Sequence, residues 1–122
     1  MIDTEGNRFM TLNNNNSRQY KIGNHSTGYF KYGKLYGKGE LLYKNRDKYT
    51  GDFKGSLKHG QGHMIYTSLN AEYKGNWKRN KREGYGIMEY SDGKIYNGNW
   101  SNDCPSNGEL ILTNGKIKLN QI

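Results

Sequence analysis

Tyr73-Lys-Gly75-Asn-Trp77 is the stretch that decides the fold, because the same pattern returns along the chain at a nearly constant interval. It recurs 23 residues later as Tyr96-Asn-Gly98-Asn-Trp100, and 24 residues earlier it is present as Tyr49-Thr-Gly51-Asp-Phe53. A weaker copy, Ser26-Thr-Gly28-Tyr-Phe30, lies 23 residues before that. A fixed interval of this length is typical of proteins built from stacked structural repeats.

A second element follows each copy at a nearly fixed distance and consists of two glycines and then a tyrosine. Its three clear copies are Gly37-Lys-Gly39 with Tyr43, Gly60-Gln-Gly62 with Tyr66, and Gly84-Tyr-Gly86 with Tyr90. The fourth copy keeps only Gly108, followed by Leu112. The two elements divide the chain into an N-terminal capping hairpin at 1–25, four units at 26–48, 49–72, 73–95 and 96–118, and a short C-terminal end at 119–122.

Within each unit the aromatic residues and glycines alternate with other residues, which predicts β-strands, since residues two apart lie on one face of a strand. Asp92-Gly93 is a typical tight-turn pair, and the basic segment Lys78–Arg82 predicts a polar loop between two strands. Each unit is therefore expected to be one β-hairpin. Because an isolated hairpin is only marginally stable in water, several must stack. We expect an all-β protein, an elongated single-layer antiparallel sheet of stacked β-hairpins.

The regular glycines predict places where another group approaches the backbone closely, since glycine otherwise weakens a strand. We expect two glycine rows across the sheet. One row would hold Gly51, Gly75 and Gly98, and the other the glycine pairs at 60–62 and 84–86. Aromatic rings from neighbouring hairpins would lie in the slots that these rows leave.

Composition excludes several classes of protein. Of the 122 residues, 32% are hydrophobic, and no stretch approaches the roughly 18 consecutive apolar residues of a transmembrane helix. The aromatic content of 13% is too high for a disordered chain. A formal net charge of +8 favours an acidic partner. The single cysteine, Cys104, cannot form an internal disulfide, and the lack of a basic-then-apolar N-terminal segment predicts a cytoplasmic chain.

The Tyr-x-Gly-x-Trp pattern, followed by Gly-x-Gly and an Asp-Gly turn, resembles the MORN repeat (membrane occupation and recognition nexus). The resemblance covers about residues 26–116, and units 49–72 and 73–95 carry it best. The sequence departs from the pattern at Ser26, where an aromatic residue is usual, and in the fourth unit, where the first glycine of the pair is missing. The resemblance implies a binding or scaffolding array, as in ciliary radial-spoke proteins, parasite cytoskeletal scaffolds and junctophilins.

No motif in the sequence carries the spacing that catalysis or metal binding needs. His59 and His63 would lie about 13 Å apart along a strand, and Cys104 has no CxxC partner. The segment Gly33–Gly39 is one residue too short for a phosphate-binding loop and lacks its Ser or Thr. We therefore expect no enzymatic activity, no metal and no cofactor.

Two surfaces are candidates for binding a partner. The first is the aromatic face of the sheet, with Tyr49, Phe53, Tyr66, Tyr73, Trp77, Tyr90, Tyr96 and Trp100, some of which must instead hold the sheet together. The second is a basic edge formed by the loops, with Lys31, Lys54, Lys58, Lys78, Arg79, Lys81 and Arg82. These charges would either keep the sheet from pairing with other sheets or dock onto an acidic protein surface.

These features favour a structural module that binds a partner segment on its aromatic face, and the resemblance implies that it is a scaffold subunit of a cytoskeletal assembly. The resemblance implies a cytoplasmic, cytoskeleton-associated setting, including the axoneme of a cilium or flagellum. The alternative is a peripheral module that binds phosphoinositides or other anionic membrane lipids, which the net charge also favours. No nucleic-acid partner is expected, because the aromatic residues that could stack on bases already carry the repeat.

Overall fold

The fold is one antiparallel sheet in which the strands lie side by side in sequence order. The computed structural model describes the backbone of residues 8–13, 24–113 and 115–120, and the side chains of residues 24–113. Within these residues the only helical segment is a single 3₁₀ turn, Thr67–Leu69, and no helix that could cross a membrane is found there. The prediction of an all-β, single-layer sheet of stacked hairpins is confirmed.

Ten strands make up the described sheet. They are β1 (Arg8–Asn13), β2 (His25–Lys31), β3 (Lys34–Leu42), β4 (Lys48–Lys54), β5 (Leu57–Tyr66), β6 (Ala71–Lys78), β7 (Lys81–Glu89), β8 (Ile95–Ser101), β9 (Cys104–Leu112) and β10 (Gly115–Asn120). Strands β2 to β9 form four consecutive hairpins, β1 pairs with β2, and β10 pairs with β9. The capping hairpin predicted at 1–25 lies largely outside the described residues, and the division of the chain into units stays a prediction.

Two kinds of connection alternate and lie on opposite sides of the sheet. Within each hairpin the connection is a two-residue turn, and at Arg79-Asn80 both φ angles are positive, 49° and 72°. This is the type I′ geometry that matches the twist of the paired strands. The prediction of a polar loop at Lys78–Arg82 is therefore wrong, because both strands extend to the turn. These turns, at 32–33, 55–56, 79–80 and 102–103, define the short-turn side, and residues 43–47, 67–70 and 90–94 define the long-turn side.

A continuous row of eight glycines crosses the sheet from β2 to β9. Each faces the next across a strand pair, in the order Gly28, Gly39, Gly51, Gly62, Gly75, Gly86, Gly98 and Gly108. The prediction of two rows is wrong because the hairpins contain a bulge. Gly51 faces Gly62 whereas Phe53 faces Lys58, so one residue of β4 stands opposite three residues of β5. The bulge thus moves Gly60 out of the row.

The first tyrosine of units two, three and four lies against this glycine row, on the side of the sheet that we call the ring face. A Cβ at Gly62 would lie 2.2 Å from the hydroxyl oxygen of Tyr49, and one at Gly86 would lie 2.2 Å from that of Tyr73. The hydroxyl of Tyr49 donates to the backbone carbonyl of Asp52 at 2.7 Å. The slots at Gly62 and Gly86 are therefore filled by a ring of the same hairpin, where the sequence predicted a ring of a neighbouring one. At Gly39 that prediction holds, because an added Cβ would lie 3.2 Å from the ring of Phe53 in the next hairpin.

Six rings continue from these slots as a chain of edge-to-face contacts that we call the ring ladder. Its members, in order, are Phe53, Tyr49, Trp77, Tyr73, Trp100 and Tyr96, with neighbouring ring centroids 5.0–5.4 Å apart. Such pairs contribute about 0.5–1.5 kcal/mol beyond the burial of their area. Because each tryptophan touches the tyrosine of its own unit and that of the preceding unit, the ladder joins the hairpins into one core.

Candidate functional site

The eight aromatic residues predicted to bind a partner occupy two different environments. The six members of the ring ladder are buried, which leaves their side chains almost no surface for a partner to contact. Tyr66 and Tyr90 are only half-buried and stand on the ring face near the long-turn side. The partner-binding role of the set stays a prediction, and the exposed surface for it is at Tyr66 and Tyr90.

Lys58 does not lie on an exposed basic edge, where the sequence placed it, but is buried on the ring face with 9% of its surface exposed. Its ammonium nitrogen lies 5.0 Å from the ring centroid of Trp77 and donates to the hydroxyl of Tyr43 at 2.7 Å. Burial lowers the pKa of the Lys58 amine and raises the pKa of Tyr43 to about 12. The attraction between a cation and aromatic faces offsets part of the desolvation of the ammonium group.

Arg82 repeats this arrangement one unit later and is likewise not part of an exposed edge. Its guanidinium carbon lies 4.7 Å from the ring centroid of Trp100 and 5.7 Å from that of Tyr66. The Nε atom of Arg82 donates to Oδ1 of Asp103 at 3.1 Å. The physical reason is register, because Arg82 faces the buried Trp77 across its hairpin and therefore shares its face of the sheet.

The sequence contains a signal that could have identified the buried Lys58 and the partly buried Arg82. Leu35 faces Phe30 across the first hairpin as Lys58 faces Phe53 across the second. Leu35 is buried, as expected for an apolar residue at a position that faces the core. An aligned position that holds leucine in one unit and a long cation in others indicates a partly buried site rather than a solvated loop.

The remaining basic residues do form an exposed strip on the short-turn side. The strip consists of Lys31, Lys54, Lys78, Arg79 and Lys81, of which only Lys31 is partly covered. Two apolar side chains stand among these charges, Tyr32 with 91% of its surface exposed and Leu57 with 39%. We call this set the short-turn strip, and its mixture of positive charge and exposed apolar surface is typical of an interaction surface.

A cavity of about 510 Å³ opens on the ring face where the third and fourth hairpins meet. Its apolar lining includes the buried Met88 and Trp100, the half-buried Tyr66 and Tyr90, and Leu69, which is 65% exposed. The Gly–aromatic pattern of the sequence includes the two tyrosines but neither Leu69 nor Met88, so these two residues were not predicted. We call this space the ring-face cavity, and it can accept a side chain of a bound molecule.

The described residues offer no grouping suited to a metal ion, since no three His, Cys, Asp or Glu side chains lie close enough together. His63 instead contacts Glu72, with Nε2 2.7 Å from Oε1. His59 accepts a hydrogen bond from the backbone N–H of Arg79 at 3.3 Å. Cys104 is exposed at the start of β9. The surfaces described above are suited to binding, and the expectation that the chain is not an enzyme stays a prediction.

Comparison with known proteins identifies the repeat. The model of the MORN repeat family matches residues 27–48, 49–70 and 73–95. A comparison with curated proteins finds no match. MORN repeats are associated with protein and membrane interaction, and the repeat itself is a non-catalytic module. Since the three matched repeats span more than half of its length and stack as hairpins, this chain belongs to the MORN repeat family.

Proposed function

We propose that this chain is a non-catalytic interaction module that binds a segment of a protein partner along its ring face. The observation that carries the proposal is the ring-face cavity, which combines a buried apolar base at Met88 and Trp100 with the exposed Leu69. A partner's side chain contributes most to the binding free energy when it leaves water for a concave apolar surface of this kind. The buried ring ladder beneath it supplies a rigid support for such contacts.

The short-turn strip supports a second part of the same interaction. Its basic residues lie along one side of the sheet, and the chain has a formal net charge of +8. Exposed charges of this kind mainly speed up encounter with an oppositely charged partner, whereas buried apolar contacts supply affinity. The partner segment would therefore be acidic overall. The proposed setting, a scaffold subunit in a cytoplasmic cytoskeletal assembly that includes the ciliary axoneme, rests on the family resemblance.

A photo-crosslinking experiment in cells tests where a partner binds. A benzophenone amino acid is placed at Leu69, on the rim of the ring-face cavity, and in a matched control at Tyr85, which is 49% exposed. We expect a protein adduct from position 69 and little from position 85, which lies outside the cavity lining. Equal adducts from both positions, or none from position 69, would contradict the proposed binding face.

Charge reversal tests the role of the short-turn strip separately. The triple variant Lys78→Glu, Arg79→Glu, Lys81→Glu should slow association with the crosslinked partner and reduce its dependence on salt, because screening acts on exposed charges. Arg82 is left unchanged, since it packs on Trp100. Surface plasmon resonance at two salt concentrations measures the association rate of the variant and of the wild type. Unchanged association rates would exclude the strip from the interaction.

A second candidate function, binding to anionic membranes, is favoured by one observation. Tyr32 stands 91% exposed at a turn, next to Lys31 and two residues before Lys34. An aromatic ring among lysines suits the boundary between headgroups and acyl chains. Sedimentation with phosphatidylserine vesicles at low and physiological salt tests it, with Tyr32→Ser as the variant. Loss of binding in that variant at physiological salt would favour the membrane function, and absence of any wild-type binding would remove it.

A further inference from the structure

One aligned position of the repeat holds a different type of residue in the fourth unit. Across each short turn, one residue faces the strand aromatic of the same hairpin. We call it the cation position, and it holds Leu35, Lys58, Arg82 and Pro105 in the four hairpins. The two cations at this position make equivalent contacts, and the proline cannot make them.

The equivalent contacts of Lys58 and Arg82 define what the position does. Each cation lies over the tryptophan of the following hairpin, Lys58 over Trp77 and Arg82 over Trp100. Each also lies over the long-turn tyrosine of the preceding unit, at 5.3 Å for Lys58 and Tyr43 and 5.7 Å for Arg82 and Tyr66. The cation position thus places a positive charge against the row of long-turn tyrosines.

By this rule a cation from position 105 would lie over Tyr90, but that position holds Pro105. The cation over Tyr90 is instead Lys94 of the same long turn, whose Nζ atom lies 5.5 Å from the ring centroid. Pro105 is short and uncharged, and the ring-face cavity is bordered by both Pro105 and Tyr90. In the two preceding units a long basic side chain, Lys58 or Arg82, extends from the cation position over the long-turn tyrosine. In the fourth unit the corresponding space beside Tyr90 belongs to the ring-face cavity.

The charges around the cavity also differ from those of the preceding unit. The second residue of each short turn is Gly33, Ser56, Asn80 or Asp103, so only the fourth turn has a carboxylate there. At the turn and cation positions together, Asp103 and Pro105 have a net formal charge of −1, whereas Asn80 and Arg82 have one of +1. Next to the cavity, the fourth unit therefore has an anion, Asp103, and no cation at its cation position.

The two basic residues that line the cavity do not make it repel a positive guest. Arg82 is paired with Asp103 at 3.1 Å, and the Nζ atom of Lys94 is paired with Oδ2 of Asp92 at 3.0 Å. Both carboxylates line the cavity and remain partly exposed, at 44% and 60% of their side-chain surface. The formal charges of these four groups cancel, although the chain as a whole carries +8.

We propose that the ring-face cavity takes an arginine side chain of the partner segment, which supplies the cation that Pro105 does not. The inference rests on the proposed function, since it names the chemistry of one residue in the bound segment. A guanidinium group is planar, stacks on aromatic faces and can also donate to a carboxylate such as Asp103 or Asp92. Arg82 already combines a ring contact and a carboxylate contact of this kind.

The test uses a defined probe, the peptide acetyl-Gly-Arg-Gly-amide, and a matched control in which citrulline replaces arginine. Citrulline has nearly the same shape but no charge. The probe is titrated to tens of millimolar while the indole N–H signals are followed by NMR, with Trp100 reporting on the cavity and the buried Trp77 as internal control. We expect a saturable shift at Trp100 with arginine, at least fivefold less with citrulline, and no shift at Trp77.

A variant that fills the cavity from within makes the test decisive. Pro105→Arg places a cation where Arg82 stands in the preceding unit, so its hairpin should still fold, and Pro105→Ala leaves the cavity open. We expect Pro105→Arg to abolish the arginine-dependent shift and Pro105→Ala to keep it. The proposal is overturned if arginine and citrulline act alike, if neither shifts Trp100, or if Pro105→Arg binds the probe as the wild type does.

Failure of the arginine inference and failure of the proposed function give different results. If position 69 crosslinks a protein and Pro105→Arg captures it as well as wild type, the interaction module stands and the arginine inference fails. If arginine shifts Trp100 but no protein crosslinks at position 69, the cavity chemistry stands and the proposed function fails.

Discussion

Gly62 shows how little space the ring face leaves for a single additional carbon. An added Cβ there would lie 2.2 Å from the Tyr49 hydroxyl and 2.2 Å from its Cε1, and Tyr49 itself is fully buried. The ring has no solvent-exposed direction in which to move without leaving Trp77 and Phe53, its two neighbours in the ring ladder. The glycine is therefore required for packing, and its backbone has no positive φ that would require it otherwise.

We expect Gly62→Ala to lower the free energy of unfolding by about 3 kcal/mol, the upper end of the range for overpacked cores. The control is Gly37→Ala, where no atom lies within 4 Å of the added Cβ but φ is +78°. That variant should lose only about 1 kcal/mol, the strain of a left-handed backbone. Urea denaturation measures both. Equal losses would mean that the Tyr49 ring can be displaced freely.

At the scale of single residues, the sequence predicted which types recur but not which side chains are covered. Lys58 and Arg82 resemble solvated loop lysines and arginines in a linear sequence, because charged residues are seldom buried. Their burial depends on Trp77 and Trp100, which come from the following hairpin. A contact between residues of different units cannot be derived from the alternation within one unit.

The short turns of the second, third and fourth hairpins are each tied to the hairpin before them by a pair of hydrogen bonds. The backbone N–H of Asn80 donates to the carbonyl of Lys58, and the side chain of Asn80 accepts from the N–H of Lys58, both at 2.9 Å. Ser56 makes the same pair of bonds with Leu35, and Asp103 makes it with Arg82. The second turn residue thus both permits a positive φ and joins two units.

We expect the series Asn80→Asp, Asn80→Gly and Asn80→Ala to separate these two roles. Aspartate keeps the accepting oxygen and should change stability little, as Asp103 does the same in the next turn. Glycine keeps the backbone geometry but loses the side-chain bond, at about 1 kcal/mol. Alanine loses the bond and also strains a φ of +72°, for a total of about 2 kcal/mol. Thermal or urea unfolding gives the order, and a glycine variant less stable than the alanine variant would contradict it.

At the scale of elements, the hairpins were predictable and their internal register was not. A two-residue turn followed by plain pairing would set Gly51 opposite Gly60 and leave Gly62 opposite Tyr49. The bulge at Asp52 instead sets Gly51 opposite Gly62 and leaves a single row. Asp52 stabilises this bulge by accepting the backbone N–H of Gln61 at 3.0 Å, a detail that no spacing of glycines indicates.

The buried phenols of the whole molecule predict how its stability depends on alkaline pH. Burial raises the pKa of Tyr43 to about 12 and raises the pKa values of Tyr49 and Tyr73 further. These phenols stay protonated in the folded chain at pH values where the unfolded chain loses its protons, near pH 10. Their stabilising contribution is therefore complete below pH 10 and is lost as the pH rises from 10 towards 12.

We expect the urea midpoint to fall steadily over this range, with tyrosinate absorbance appearing as the chain unfolds. Tyr43→Phe removes one raised phenol and should make the fall shallower, although it also removes the hydrogen bond from Lys58. A pH-independent midpoint between 10 and 12 would mean that these phenols ionise equally well in the folded chain.

For the molecule as a whole, repetition made the fold class predictable from the sequence, because several copies of one hairpin pattern can only stack. The location of the cavity was not predictable in the same way. It depends on Pro105 breaking the pattern of Lys58 and Arg82, and that pattern becomes visible only when the register across each hairpin is known.

The sequential order of the strands has a consequence for how quickly the chain can find its fold. Strands make their main contacts with strands adjacent in sequence, so few native contacts join distant parts of the chain. Its contact order is therefore low for an all-β protein, and the entropy lost before favourable contacts form is small. Folding should be faster than in β-sandwiches of similar size. We expect its nucleus in the central hairpins, which share the ring ladder, and local unfolding of the native sheet that begins at the two outermost strands.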